Sequence, residues 1–458
     1  MTRRKLLLST PALALLRAAD NAAVSVKVRR KPTDEWKIMP ARDIHHVAGF
    51  QPETRKIRVS QYGGRLDRRT NAAAGFFRAV ENKGRWWLAD PEGFLYLKAG
   101  VASVAPGNSV TNRAALKEQF GTPEKWAAAT AKLLHENGFT GTGAWSAVDL
   151  LRAVPERVVY TQLWSFMSAF GKRKKLTFQQ PGHTGYAGDC IPVFHPEFET
   201  FCDEYARQLA ATKDDPWLLG HFSDNEMPAP ADLLDKALNL DTGNPALAPT
   251  RDYAAKWLAK AGQSPTPQLN EAFREHVFDR YFEITTRAIR KHDPNHLCLG
   301  SRLHGASLRS PAVLRAAGRR LDVIAMNVYG VWTPEAELFE LWRKEAGKPM
   351  MVTEFYAKGE DSGYKNTTGA GWLVPTQKDR ALFYQNFLLG MLESKLCVGW
   401  DWFKYMDNDP EDLSTDPSNR DSNKGIVTIR YQPYAGLVEG MREFNREIYP
   451  LADHFDRG

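Results

Sequence analysis

From residue 95 onward, short apolar runs alternate with stretches in which apolar residues recur every three or four positions. Leu218-Leu219-Gly220-His221-Phe222 and Met350-Met351-Val352 are apolar at nearly every position, the pattern of strands covered on both faces. Phe273, Val277, Tyr281, Ile284 and Ala288 instead mark one face of an amphipathic helix over 269–291. Read this way, strands fall at 95–103, 138–145, 157–164, 218–226, 297–302, 321–329, 350–355 and 397–405, with helices between them and a last helix at 434–448. Eight such units predict a (β/α)8 TIM barrel, an α/β fold whose reactive groups sit at the carboxyl ends of its strands. A doubly wound open sheet is the competitor. It calls for a glycine-rich phosphate turn after the first strand, where this chain has Ser103-Val104-Ala105-Pro106-Gly107-Asn108.

Residues 21–80 are polar and basic with short alternating stretches, which predicts a small N-terminal β appendage or an arm laid over a barrel spanning 81–458. Asp90-Pro91-Glu92-Gly93, between two apolar runs, is a hairpin turn signal. Residues 1–20 have the layout of an export signal: Arg3-Arg4-Lys5, an apolar stretch from Leu6 to Leu16, then Ala18-Ala19. The paired arginines resemble a twin-arginine signal, and a periplasmic or secreted location is expected. Elsewhere no window approaches the roughly 18 apolar residues of a membrane helix.

The formal net charge of +7 shrinks once the basic leader is set aside, since Arg3, Arg4, Lys5 and Arg17 against Asp20 account for three of those charges. A body charge that small gives no footing for nucleic acid or membrane binding. Of the four cysteines, Cys298 and Cys397 lie in apolar runs and read as buried thiols, while Cys190 and Cys202 are spaced to close a short loop in an exported protein. No Cys-x-x-Cys or paired-histidine spacing calls for a metal, and His183, His195 and His221 read as hydrogen-bonding residues.

Two of the apolar runs end in carboxylates: one in Ser223-Asp224-Asn225-Glu226, the other in Thr353-Glu354-Phe355. On the count above these are strands four and seven, on opposite sides of a barrel about 15 Å across, so Glu226 and Glu354 can meet over its axis. Two carboxylates so placed divide the work of a glycosidase, Glu226 as acid/base and Glu354 as nucleophile. A separation of about 5.5 Å means retention through a covalent intermediate, and a wider gap means inversion. Neither route needs a cofactor.

Asn225-Glu226 with Glu354 resembles the retaining glycoside hydrolases of clan A. More narrowly, Trp86-Trp87-Leu88-Ala89-Asp90-Pro91-Glu92-Gly93, Gly300-Ser301-Arg302, Thr353-Glu354-Phe355-Tyr356-Ala357-Lys358-Gly359, Trp402-Phe403-Lys404-Tyr405-Met406-Asp407 and Asn423-Lys424-Gly425 resemble β-agarase-like proteins of glycoside hydrolase family 50. The resemblance implies that Asn225 binds a sugar 2-hydroxyl and that Tyr329 donates to Glu354 and keeps it ionised. It further implies that Trp402 is the platform under the reacting sugar. Arg302 and His304 are candidate sugar ligands or partners of Glu354, Arg302 standing in for an arginine the clan carries on strand two. Trp145, Trp164, Trp332 and Phe403 are candidate subsite aromatics, and Asp224 and Lys404 either bind hydroxyls or neutralise each other. The polar loop 357–375 is expected to fold over the cleft.

The expected activity is a retaining glycoside hydrolase on β-linked, galactose-containing poly- or oligosaccharide of agarose type. The alternatives are another clan-A activity on β-glucan, β-mannan or sulfated galactan, a catalytically silent glycan-binding barrel, and a metal-dependent hydrolase.

Overall fold

The structure, a computed structural model, describes residues 24–52 and 57–457. The export signal expected at 1–20 lies outside the described residues. Among the described residues no helix is long and apolar enough to cross a membrane.

The chain opens with an antiparallel pair, β1 (Val24–Val28) and β2 (Lys37–Ala41). It continues into a four-stranded antiparallel sheet of β3 (Arg65–Arg69), β4 (Arg78–Asn82), β5 (Arg85–Ala89) and β6 (Phe94–Tyr96), in the order β3-β6-β5-β4. The appendage boundary expected at residue 80 therefore falls inside a sheet. The Asp-Pro-Glu-Gly turn joins β5 to β6 as the sequence implies. Asp90 Oδ1 accepts from the Glu92 and Phe94 amides at 3.0 and 2.9 Å, and the Gly93 amide donates to the Asp90 carbonyl at 2.8 Å. Gly93 has φ of 88° there, the left-handed region that glycine enters without steric cost.

The parallel strands follow: β7 (Lys98–Val101), β8 (Gly141–Thr142) and β9 (Tyr160–Leu163). A hairpin of β10 (Thr177–Gln180) and β11 (His183–Tyr186) interrupts them before β12 (Leu218–Phe222), β13 (Leu297–Gly300), the short β14 (Leu303–His304), β15 (Ile324–Asn327) and β16 (Met350–Glu354). After the small parallel pair β17 (Ala357–Gly359) and β18 (Trp372–Val374) comes β19 (Cys397–Trp402). The ladders form two parallel sheets, β13-β12-β9 and β14-β15-β16-β19-β7-β8, rather than the single closed ring expected from the alternation.

The seams have local causes. β8 is two residues long and meets the other sheet through one bridge, Gly141 to Val159. After β13 the backbone leaves the extended region at Gly300 and Arg302, with φ of 76° and 42°, and that side is spanned by the Asp322 amide donating to the Cys298 carbonyl at 3.0 Å and the Cys298 amide donating to Asp322 Oδ2 at 2.8 Å.

Side chains along these strands sort by parity, as period-two geometry requires. Leu297, Leu299, Val323, Ala325, Met351 and Val398 meet in one apolar cluster, which Leu88 and Tyr96 of the antiparallel sheet close from below. Their neighbours Cys298, Ile324, Met326, Met350, Val352 and Cys397 belong to a second cluster packed against the helices. The longest helix, Pro267–His292, begins where the Thr266 hydroxyl accepts from the Leu269 amide with Pro267 in the first turn, and buries Phe273, Val277, Tyr281, Ile284 and Ala288.

All four cysteines are free and buried, so the loop closure open to Cys190 and Cys202 is not made. Burial pushes the Cys190 and Cys298 thiols up to about 12 and that of Cys397 up to about 11, and raises Cys202 as well. We expect the native protein at pH 8 to give no prompt reaction with a thiol-titrating disulfide reagent and four equivalents in guanidinium chloride. Fewer than four in denaturant would reveal a disulfide.

Candidate active site

At the carboxyl ends of the parallel strands lies a cavity of about 390 Å³, lined in part by Trp145, Asn225, Glu226, Tyr329, Glu354 and Tyr356. Glu354 is the last residue of β16 and stands in register with Asn327, the last of β15. Glu226 lies four residues past β12, on a segment whose Ser223 and Glu226 amides donate to the Gly300 and Arg302 carbonyls at 2.8 and 3.3 Å. Ser103, Trp145, Ser165, Glu226 and Arg302 all have φ between 42° and 60°. For residues with a Cβ this costs on the order of 1–2 kcal/mol each, a strain the surrounding ladders must hold.

Arg302 ties the two carboxylate-bearing strands together. It is fully buried; Nη1 donates to Asn225 Oδ1 at 2.9 Å and Nη2 to the Thr353 carbonyl at 3.0 Å. Nη2 also lies 2.6 Å from Glu354 Oε1 as a charge contact. Tyr329 donates its hydroxyl to Glu354 Oε2.

These partners were expected to keep Glu354 ionised, yet burial outweighs them and pushes its carboxyl up to about 7. Arg302 and Tyr329 oppose that rise, while the charge of Glu226 adds to it. Burial and the adjacent Glu354 raise the Tyr329 hydroxyl, which therefore stays a donor.

Glu226 is largely buried and has different company. Its Oε1 accepts from Asn327 Nδ2 at 2.7 Å and lies 3.7 Å from His304 Nδ1. Thr353 Oγ1 donates to Asn327 Oδ1 at 2.8 Å, which fixes the orientation of that amide. Asn327 Nδ2 also reaches Asn225 Oδ1 at 3.3 Å, so the Asn225 oxygen is doubly occupied and its NH2 is the group left to donate to a ligand.

Several sequence candidates lie elsewhere. Trp402 is fully buried; its Nε1 donates to the Lys424 carbonyl at 2.8 Å and its ring packs on Phe355 and Tyr384. Like Trp400 it packs in the cluster against the helices and is not among the residues lining this cavity, whereas the next residue, Phe403, is. Trp332 donates to the Pro40 carbonyl at 2.7 Å and anchors the N-terminal arm, and Trp164 donates to His221 Nδ1 at 2.9 Å. Lys404 donates to Asn408 at 2.5 Å in an adjoining depression, its ammonium pushed down to about 8 by burial. Asp224 does not pair with it. It accepts from the Met167 and Ser168 amides and from Tyr281 Oη, and burial lifts its carboxyl to about 7. Trp145 is 45% exposed in the cavity, with the Arg302 guanidinium 4.3 Å from its ring centroid.

Asn327 and Tyr356 were not singled out from the sequence. Asn327 carried the same signal as the glutamates, a polar side chain ending an apolar run. A buried cluster of His221, Asp293 and His296 was also unforeseen, being assembled from distant segments in a spacing a metal ion could use. Its ring nitrogens are engaged: His221 by Trp164 and Asp293, His296 by Asp293 and the Asp215 carbonyl. The loop after Glu354 does fold over the cleft, bringing Gly369 and Ala370 into the cavity wall. Lys358, buried beneath it, donates to the carbonyls of Thr368 at 3.0 Å, of Asn366 and Gly369 at 3.3 Å and of Arg30 at 3.4 Å.

No family model matches the chain. Among curated proteins it is 25% identical to beta-agarase B of Vibrio sp. (strain JT0107) over 86% of this chain and 50% of that one. It is 32% identical to beta-agarase A of the same strain over 37% and 17%. It thus spans half the length of the first relative and less of the second. Among solved structures, the agarase AgWH50C superposes with a TM-score of 0.71 at 22% identity over 87% of this chain and 67% of that one, a likeness of fold. BpGH50 superposes with a TM-score of 0.83 at 30% identity, covering 94% of this chain and 96% of that one. On that near-complete overlap, the chain belongs to glycoside hydrolase family 50.

Proposed function

We propose that this protein is an exported, retaining glycoside hydrolase of clan A type that cleaves agarose-type β-linked galactan on a (β/α)8 barrel. The observation that carries the reading is that Glu226 and Glu354 line one cavity in unlike surroundings. Glu354 is buried between a guanidinium and a phenol, fixed in place as a nucleophile must be. Glu226 has one amide partner and keeps 11% of its side chain open to the cavity, as suits a group that gives a proton to the leaving oxygen and takes one from water. Support for the barrel comes from the two parity-sorted cores and from strands whose neighbours follow chain order. Support for the substrate comes from the relatives named beta-agarase, and for export from the basic and apolar leader.

In the first step Glu226 protonates the glycosidic oxygen while Glu354 attacks the anomeric carbon from the opposite face, giving a glycosyl-enzyme. Positive charge spreads over the sugar ring as the bond breaks, and an Asn225 bond to the 2-hydroxyl strengthens with it. Tyr329 and Arg302 take back the negative charge when Glu354 leaves in the second step, in which Glu226 deprotonates water.

Glu354→Ala should abolish turnover of agarose, while Glu226→Ala should keep activity on an aryl β-galactoside with a good leaving group and yield a β-glycosyl azide when azide is added. Full activity of Glu354→Ala, or an α-configured azide, would overturn the reading. Because Glu354 attacks only when ionised, kcat/KM should rise with pH through about 7. Tyr329→Phe removes a donor that favours the ionised form, so this limb should move to higher pH; a limb that stays put would contradict the role of Tyr329.

A further inference from the structure

The catalytic cavity continues past Pro181 and Ser418, which also line a wider groove of about 820 Å³ between Gln179, Gln180 and the facing segment from Leu413 to Ser418. Through Ser414 and Thr415 this groove passes into the depression that holds Lys404. One wall is the hairpin β10–β11, fastened at its tip to the facing loop where the Gly182 amide donates to Asp416 Oδ2 at 2.6 Å.

Large exposed hydrophobic side chains are few, and three of the six among the described residues follow this path. Trp145 stands in the cavity, Leu413, 78% exposed, lines the groove, and Phe178, 52% exposed, is two residues from the groove-lining Gln180. Phe178 and Gln180 share one face of β10: a Cβ added at Gly185 would come within 2.5 Å of the Phe178 ring and 2.8 Å of Gln180 Cγ. The ring thus covers Gly185 and leaves much of its surface to solvent. A planar apolar face beside amides and a carboxylate matches a pyranose, which offers a C–H face rimmed by hydroxyls.

We propose that this groove is a distal glycan-binding subsite. It holds the outer residues of a galactan chain, with Phe178 stacking on a sugar and Gln180 and Asp416 bonding its hydroxyls, while an inner linkage lies between Glu226 and Glu354. The proposal rests on the function proposed above and adds a length preference to it.

The test compares Phe178→Ala and Gln180→Ala with wild type on long agaro-oligosaccharides and on the shortest one cleaved. Loss of one stacked sugar should lower kcat/KM on the long substrate roughly five- to tenfold, carried by KM, with no change on the short one. No change on the long substrate, or an equal loss on both, would overturn it. Calorimetric binding in a Glu354→Gln background separates this proposal from the activity itself. There, affinity should grow with oligosaccharide length, and Phe178→Ala should abolish the growth even if no galactan is turned over. Length-independent affinity would remove the subsite.

Discussion

The contact on which the site depends is that of the Arg302 guanidinium with Glu354. Arg302 sits fully buried at the seam where the ladder after β13 breaks, and it also donates from Nη1 to Asn225 and from Nη2 to the carbonyl of Thr353. A single cation therefore fixes the strand end that carries Glu226 and neutralises the one that carries Glu354. Removing either partner of such a buried pair leaves an uncompensated charge at a cost of about 3–5 kcal/mol, so the pair constrains the rim more than it stabilises the fold. The pair also sets the working range of Glu354: burial alone would drive the carboxyl higher, and Arg302 with Tyr329 brings it back to about 7.

The rim has a second support in the N-terminal arm. Arg29 exchanges backbone hydrogen bonds with Leu373 at 3.0 and 2.8 Å. The arm thereby braces the loop that follows Glu354, and Lys358 holds that loop from below through its carbonyls. Burial pushes the Lys358 ammonium down to about 8, so the same desolvation that raises Glu354 acts on the lysine that shapes the wall beside it.

Much of this was legible because it is written in periodicity. Polar side chains ending apolar runs marked Asn225, Glu226 and Glu354, and the alternation of strands and helices marked the α/β architecture. Arg302 could be named as a replacement for an absent arginine, and the structure brings it to Glu354. What escaped was facing. Trp402 and Phe403 are adjacent and both aromatic, and only the strand's register decides which enters the cavity. Trp164 and Trp332 were indistinguishable from Trp145 by composition, yet their N–H groups are spent on His221 and Pro40. The ladder break at Arg302 was equally invisible, since left-handed backbone at an arginine has no sequence signature.

Trapping would show whether Glu354 bonds covalently to the sugar it cleaves while Glu226 handles the proton. The enzyme would be treated with an activated 2-deoxy-2-fluoro-β-galactoside, digested, and its peptides weighed by mass spectrometry. The expected result is one added fluorosugar on the peptide carrying Glu354, absent from Glu354→Gln. A label on Glu226, or inactivation with no covalent sugar on any carboxylate, would rule out Glu354 as the nucleophile.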